Sequence, residues 1–349
     1  MVRLPALALE LGVRALLVKD ESARFGLPAF KTVGVRYAVA RLVAEAGGGG
    51  LTDLAAATAG NHGRAVARAA REHNLLARIY VPAGTELARV AALKGEGAQV
   101  TVTAVGYDDT VRLMAADAHA NGWTIVSDTA WDGYEDIPRW IMAGYTRILD
   151  EAAAAGAFAS VDPRTIIVIV QAGVGSLAGA VAGWLAATFG DARPSLVIVE
   201  PDGSACVLAS LRAGQRTTLP AALPTSMAGL RCAAVSSLAW PVLRDVVDVA
   251  VTVSDAQVAA AQRRFAQPAG GDPCVDSGAS GAAGLAALFA IASDQELPQV
   301  RAHLPPLSGA TVLLINTEAA MPKPPLRVDV KESPSVPAAG TLSRTSSRA

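Results

Sequence analysis

Residues 166–190, IIVIVQAGVGSLAGAVAGWLAATFG, contain no charged side chain. A run like this has two incompatible solutions. It can cross a membrane, for which about 20 consecutive apolar residues suffice, or it can be a buried strand followed by a helix. The β-branched run Ile166–Val170 reads as a strand, and Gln171 with the glycines after it breaks the segment before a helix begins. The second solution is the one expected here.

The same alternation runs along the chain. Short β-rich runs at Ala15–Lys19, Leu54–Thr58, Ala77–Val81, Gln99–Thr103, Thr124–Ser127, Thr165–Val170, Ser195–Glu200, Asp248–Val253 and Thr311–Asn316 alternate with helical stretches such as Asp108–Asn121 and Ile137–Ala155. Strand alternating with helix predicts an α/β fold with parallel sheets. A length of 349 residues favours about two domains. A net charge of −1 argues against nucleic acid or an anionic membrane as partner. Three cysteines with no Cys-x-x-Cys suggest neither a disulfide framework nor zinc, so no metal is expected. The N-terminus lacks the order of a secretory signal, and a cytoplasmic protein is the default. Residues 321–349, rich in Pro, Ser and basic side chains, read as a disordered tail.

In open α/β sheets, ligands bind beyond the carboxyl ends of strands. After Val170, Gln171–Gly179 places glycines at a strand-to-helix corner. There backbone N–H groups and the helix start can hold a phosphate. The stretch is neither a P-loop nor a GxGxxG fingerprint, and a tight turn would explain it equally. After Thr58 comes Gly60-Asn61-His62-Gly63, where Asn61 is either an N-cap or an amide facing a ligand. Lys31 stands at the expected start of a helix, where the macrodipole and an apolar neighbourhood would lower its pKa and favour a nucleophilic neutral amine. A solvated surface lysine is the plainer alternative. Asp128 directly follows a strand, either as a cap or as a group projecting at a ligand. A further Gly/Ser corner, DSGASGAAGL at 276–285, opens another helix.

Taken together, "KDESARFGLPAFK", "ATAGNHGRAVA", "YDDTVRL", "DTAWDGYEDIPRWIMAGY", "QAGVGSLAGAV", "VEPDGSAC", "MAGLRC" and "SGASGAAGL" span roughly residues 3–318. In this order they resemble the fold type II enzymes of pyridoxal phosphate, the tryptophan synthase β-like group, and within it the diaminopropionate ammonia-lyase family. The resemblance implies two open, twisted, mostly parallel sheets flanked by helices. The cofactor would lie in a cleft between a larger domain (1–30 and 140–320) and a smaller one (31–139). It implies a homodimer acting on a small amino acid. Lys31 matches the lysine that bonds pyridoxal 5'-phosphate, and Asn61 the asparagine that hydrogen-bonds its phenolic oxygen. Gly173, Val174, Gly175, Ser176 and Leu177 match the phosphate loop, and Gly229 lies where the family's chain passes the cofactor. Thr317 is matched to the pyridine-nitrogen contact. Asp128 matches the base that takes the α-proton of the L-isomer, and Lys31, once displaced, is a candidate proton shuttle. Cys206 and Cys232 match a pair that can be disulfide-linked near the site entrance. The implied reaction is α,β-elimination from L-2,3-diaminopropionate or a close β-substituted L-amino acid, giving pyruvate and ammonia.

The chain departs from the family in four places. Ala59 stands where the family has the aspartate implicated as base for the D-isomer. Ala279 replaces the glutamate of "SGESG". The family's "STEGD" reads Asn316-Thr317-Glu318-Ala319-Ala320. The chain also starts almost at the first family motif, so a preceding segment of several dozen residues is expected to be missing. These changes keep two alternatives open: serine/threonine dehydratase-like or β-replacement chemistry, and a cofactor-binding homologue without turnover. With one base retained, activity on the L-isomer alone is expected.

Overall fold

The computed structural model describes residues 1–47, 50–220, 223–293 and 297–321. The principal elements of the first part are β1 (Val2–Arg3), α1 (Pro5–Glu10), β2 (Ala15–Asp20), α2 (Lys31–Glu45), β3 (Asp53–Ala57), α3 (Asn61–Glu72), β4 (Leu76–Val81), α4 (Leu87–Gly95), β5 (Gln99–Val102), α5 (Tyr107–Asn121) and β6 (Thr124–Ile125). The chain continues through α6 (Asp136–Ala154), β7 (Ile166–Gln171), α7 (Ser176–Phe189), β8 (Ser195–Pro201), α8 (Cys206–Ala213), α9 (Ala239–Val246), β9 (Val249–Val253), α10 (Asp255–Ala266), α11 (Ala279–Ala292) and β10 (Thr311–Asn316).

Residues 166–190 are therefore divided between β7 and α7, and among the described residues no helix is long and apolar enough to cross a membrane. The reason lies in the burial of β7. Ile166, Val168 and Val170 enter one core with Val181 and Leu185 of α7. Ile167 and Ile169 enter a second core with Leu285 and Leu288 of α11. A strand covered on both faces is apolar at every position, which is the signature of a parallel sheet between helices.

The strands form two sheets. A six-stranded sheet has the order β1-β2-β10-β7-β8-β9, and a four-stranded sheet the order β5-β4-β3-β6. All pairings are parallel except β1 with β2. Every strand expected from the sequence is present, with ends displaced by one or two residues. β1 was not expected. Two residues are too short for any periodic signal, and it forms by edge pairing of Val2 and Arg3 with Val18 and Leu17. Of the stretch expected to be a disordered tail, all beyond Met321 lies outside the described residues.

Helix α2, which begins with Lys31, is seated on α6 through two glycines. A Cβ on Gly34 would fall 2.5 Å from the Ile141 carbonyl oxygen and 2.5 Å from the Tyr145 ring, and one on Gly144 would fall 2.8 Å from the Gly34 Cα. Two backbones can approach this closely only where neither helix carries a side chain. Gly34→Ala is expected to destabilise the fold by about 1–3 kcal/mol through overpacking. Gly183→Ala in α7, whose new methyl would meet Val242 at an ordinary 3.8 Å, should be neutral or stabilising by up to about 1 kcal/mol. Urea midpoints of the two variants check the opposite signs.

Candidate active site

Three of the singled-out corners, together with Thr317, lie at the ends of strands that are neighbours in their sheets. Asn61 follows β3 and Asp128 follows β6, and β3 pairs with β6. Gly173–Leu177 follows β7 and Thr317 follows β10, and β7 pairs with β10. In each sheet this is where the chain runs on to one side while the neighbouring strand belongs to another connection. Such switch points open the crevice in which α/β sheets bind ligands. Lys31, the first residue of α2, is brought to the same place by its preceding loop. The Phe30 N–H donates to the Thr317 carbonyl oxygen (3.0 Å), and Ala29 bridges to Glu318.

Lys31 Nζ donates to Asp128 Oδ2, and the Asp128 carbonyl oxygen accepts from the Ser176 hydroxyl (2.6 Å). Lysine, carboxylate and the serine that opens α7 thus form one chain of contacts. The sequence led to the expectation of a lowered lysine pKa, and here the structure differs. Burial does work to lower it, but the Asp128 charge, helped by Tyr145 and the hydrogen bond to Asp128, outweighs burial and raises it. The helix start opposes the cation only weakly beside a contacting carboxylate. For Asp128, burial works upward, while the Lys31 and His62 contributions hold the carboxyl well below the usual range. His62 is buried and its pKa is lowered, first by burial. Its Nε2 meets the Val126 carbonyl oxygen (2.8 Å), which accepts only, so Nε2 carries the hydrogen. Its bare Nδ1 has no hydrogen-bond partner and stands 4.0 Å from Asp128 Oδ2.

The loop after β7 fits an anion. Gly175 adopts φ +89°, a left-handed conformation suited to glycine, and α7 starts without a side-chain cap. Among the hydrogen bonds of the described residues, none is donated by the backbone N–H of Gly173, Gly175, Ser176 or Leu177. Unpaired donors converging at a helix start are the physical requirement for holding a phosphate. A Cβ on Gly173 would fall 2.9 Å from the Gly229 carbonyl oxygen and 3.0 Å from Cys232 Sγ. Gly229 is therefore packed against this loop, and its other side faces the Ser280 hydroxyl of α11. Cys206 and Cys232 are free thiols. The pairing implied by resemblance is not formed, although both touch Gly173, Cys206 through a contact to its carbonyl oxygen at 3.5 Å.

Thr317 is buried, and its hydroxyl accepts from Gln171 Nε2 (2.8 Å) at the end of β7. Asn61 Nδ2 donates to Glu318 Oε2 (2.8 Å). His62, Tyr145, Gln171 and Glu318 belong to this site, and the sequence analysis assigned none of them a role. For His62 the signal was present, since it adjoins Asn61 in the same glycine-flanked corner. Tyr145 is ten residues into α6, and only the fold carries its ring onto Phe30, with centroids 4.9 Å apart. Ala59 is partly buried and packs against the core, and Ala279 is the first residue of α11.

Known proteins resemble this chain along most of its length. The family model for pyridoxal-phosphate dependent enzymes matches residues 1–309. Diaminopropionate ammonia-lyase of Escherichia coli K12 is 40% identical over 323 residues, 88% of this chain and 80% of that protein. The crystal structure of the Escherichia coli enzyme in complex with an aminoacrylate-PLP azomethine reaction intermediate superposes with a TM-score of 0.83 at 39% identity, covering 91% of this chain and 83% of that one. Maize serine racemase, 23% identical, superposes with a TM-score of 0.75 over 92% of this chain and 88% of its own, a likeness of fold.

The opposed influences on Lys31 give a direct test. Asp128→Asn removes the main charge that raises the lysine pKa and leaves burial the larger influence, so the pKa should fall. In the cofactor-free protein the pH midpoint of Lys31 acetylation, followed by mass spectrometry, should move down. An unmoved midpoint would show that Asp128 does not hold the lysine charged.

Proposed function

The chain belongs to the diaminopropionate ammonia-lyase family of pyridoxal-phosphate dependent enzymes, and from that premise we propose that it eliminates the β-amino group from L-2,3-diaminopropionate or a close β-substituted L-amino acid, giving pyruvate and ammonia. The observation that carries this reading is the contact chain from Lys31 through Asp128 to Ser176 at the anion-ready start of α7. Pyridoxal phosphate, when bound, supplies a conjugated ring that takes up the electron pair left by breaking the Cα–H bond.

The chain's own residues do the rest. The N–H groups of residues 173–177 hold the phosphate, Gly229 lines the passage beside them, and Asn61 donates to the phenolic oxygen. Thr317 is assigned to the pyridine nitrogen, with its hydroxyl oriented by Gln171. Lys31 Nζ is the attachment point. Its charge holds the Asp128 pKa down, so Asp128 is a poor base while the two are paired. Once Nζ has lost its charge, burial is opposed by less and the carboxylate becomes the stronger base. Asp128 Oδ2 then takes the Cα proton, with neutral His62 Nδ1 facing that oxygen at 4.0 Å. Lys31 Nζ, released as the neutral amine when the substrate is bound, takes that proton from Asp128 across their contact and passes it to the departing β-nitrogen.

Ala59 gives the reading its stereochemistry. The methyl at this position can take no proton, which leaves Asp128 as the one base. The same resemblance underlies a homodimer and two domains formed by residues 1–30 with 140–320 and by residues 31–139, and a cytoplasmic location is proposed as the default for an N-terminus without the order of a secretory signal.

Pyruvate release from L- and D-2,3-diaminopropionate by the reconstituted protein tests the function. Turnover of the L-isomer alone is expected, and Asp128→Asn should lower it by about 10²- to 10⁴-fold. Ala59→Asp should add D-isomer turnover. Clear wild-type turnover of the D-isomer would defeat the one-base reading. A panel with L-serine, L-threonine and O-acetylserine separates dehydratase and replacement chemistry from it.

A further inference from the structure

Glu318 is a charged side chain at the site that the elimination reading leaves without a role. Its carboxylate is held from two sides. Oε2 accepts from Asn61 Nδ2 at 2.8 Å, and Oε1 accepts from the Ser280 N–H at 3.2 Å. The main chain is pinned as well. The Glu318 carbonyl oxygen accepts from the Gly278 N–H (2.9 Å), the Ala319 N–H donates to the Pro28 carbonyl oxygen (2.9 Å), and Glu318 bridges to Ala29. A Cβ on Gly278 would stand 2.9 Å from both Cγ and Oε1 of Glu318, so this glycine makes room for the carboxylate.

The position is chemically pointed. Helix α11 opens without a side-chain cap and without an acidic residue in its first turn. Ala279 stands where the resembled family keeps a glutamate. Glu318, arriving from the end of β10, supplies the negative charge that a helix start favours. A carboxylate accepts and does not donate, so it also settles which end of the Asn61 amide faces it. Nδ2 must point to Glu318, and the second N–H and Oδ1 are left for a ligand. Among the described residues the Asn61 side chain has no other partner. Asn61 opens α3 beside the four-stranded sheet, whereas Glu318 follows β10 of the six-stranded sheet. The bond therefore ties the two walls of the crevice together.

We propose that Glu318 is a positioning residue that locks the Asn61 amide in the orientation needed to donate to the phenolic oxygen of pyridoxal phosphate. The inference rests on the reading of Asn61 as that contact. A residue that acts through Asn61 must lose its effect when Asn61 is gone.

The test is a double-mutant cycle in the full chain with Asn61→Ala, Glu318→Ala and both. In the reconstituted protein, each single variant should raise the Kd for pyridoxal phosphate about tenfold and shift the visible absorption band of the bound cofactor. The double variant should be no worse than the weaker-binding single. A wild-type Kd and band in Glu318→Ala, or effects of the two substitutions that multiply, would overturn the proposal. Should Glu318→Ala not fold, Glu318→Gln keeps the length and an acceptor oxygen. About a threefold weakening is expected from the lost charge, and none in the Asn61→Ala background; equal effects in both backgrounds overturn it. The same cycle on cofactor-free protein, read as Tm, should show the double variant less destabilised than the sum of the singles, and additivity there counts against it. That arm needs no cofactor. A wild-type protein with no visible band that Lys31→Ala abolishes would remove the cofactor reading and leave the Asn61–Glu318 coupling to be judged by Tm.

Discussion

The site depends on two opposite charges sharing a largely buried place. Burial alone would neutralise both Lys31 and Asp128, and each remains charged because the other replaces the water it has lost. The carboxylate has a second attachment through its main chain, whose carbonyl oxygen takes the Ser176 hydroxyl. The start of α2, the end of β6 and the start of α7 are therefore tied at one residue. Removing either charge would leave the other uncompensated, which makes the pair sensitive to whatever engages the lysine.

Much of this was legible in the sequence because it depends on local rules. β7 and α7 follow from a β-branched run broken by glycines, and the corners at Asn61, Asp128 and Gly173–Leu177 follow from strand ends. Lys31 was found at its helix start. Its charge state was misjudged, because the partner that decides it is 97 residues away and a local dipole argument cannot see it. Glu318 was overlooked for the same reason: its partners Asn61 and Ser280 lie 257 and 38 residues away. Tyr145 read as an ordinary member of a helix, and Gln171 only as part of the break after a strand. β1 leaves no periodic trace in two residues.

The alanine departures have different physical meanings. Ala59 packs partly buried against the core, where a carboxylate would need compensation for lost hydration. An alanine at this place carries no such cost. Ala279 removes a charge from the start of α11, and Glu318 still meets that helix start from outside.

The order of the six-stranded sheet has a consequence for biosynthesis. Among the described strands β10 is the last in chain order, yet it lies between β2, which is made near the beginning, and β7. Until residues 311–316 have left the ribosome, β2 and β7 cannot be bridged, and each presents an unpaired edge in the nascent chain. Closure of the sheet waits for this strand, and the same event delivers Thr317 and Glu318 to the crevice. A chain stopped shortly before this strand would lack the middle of its larger sheet and one wall of its site at once.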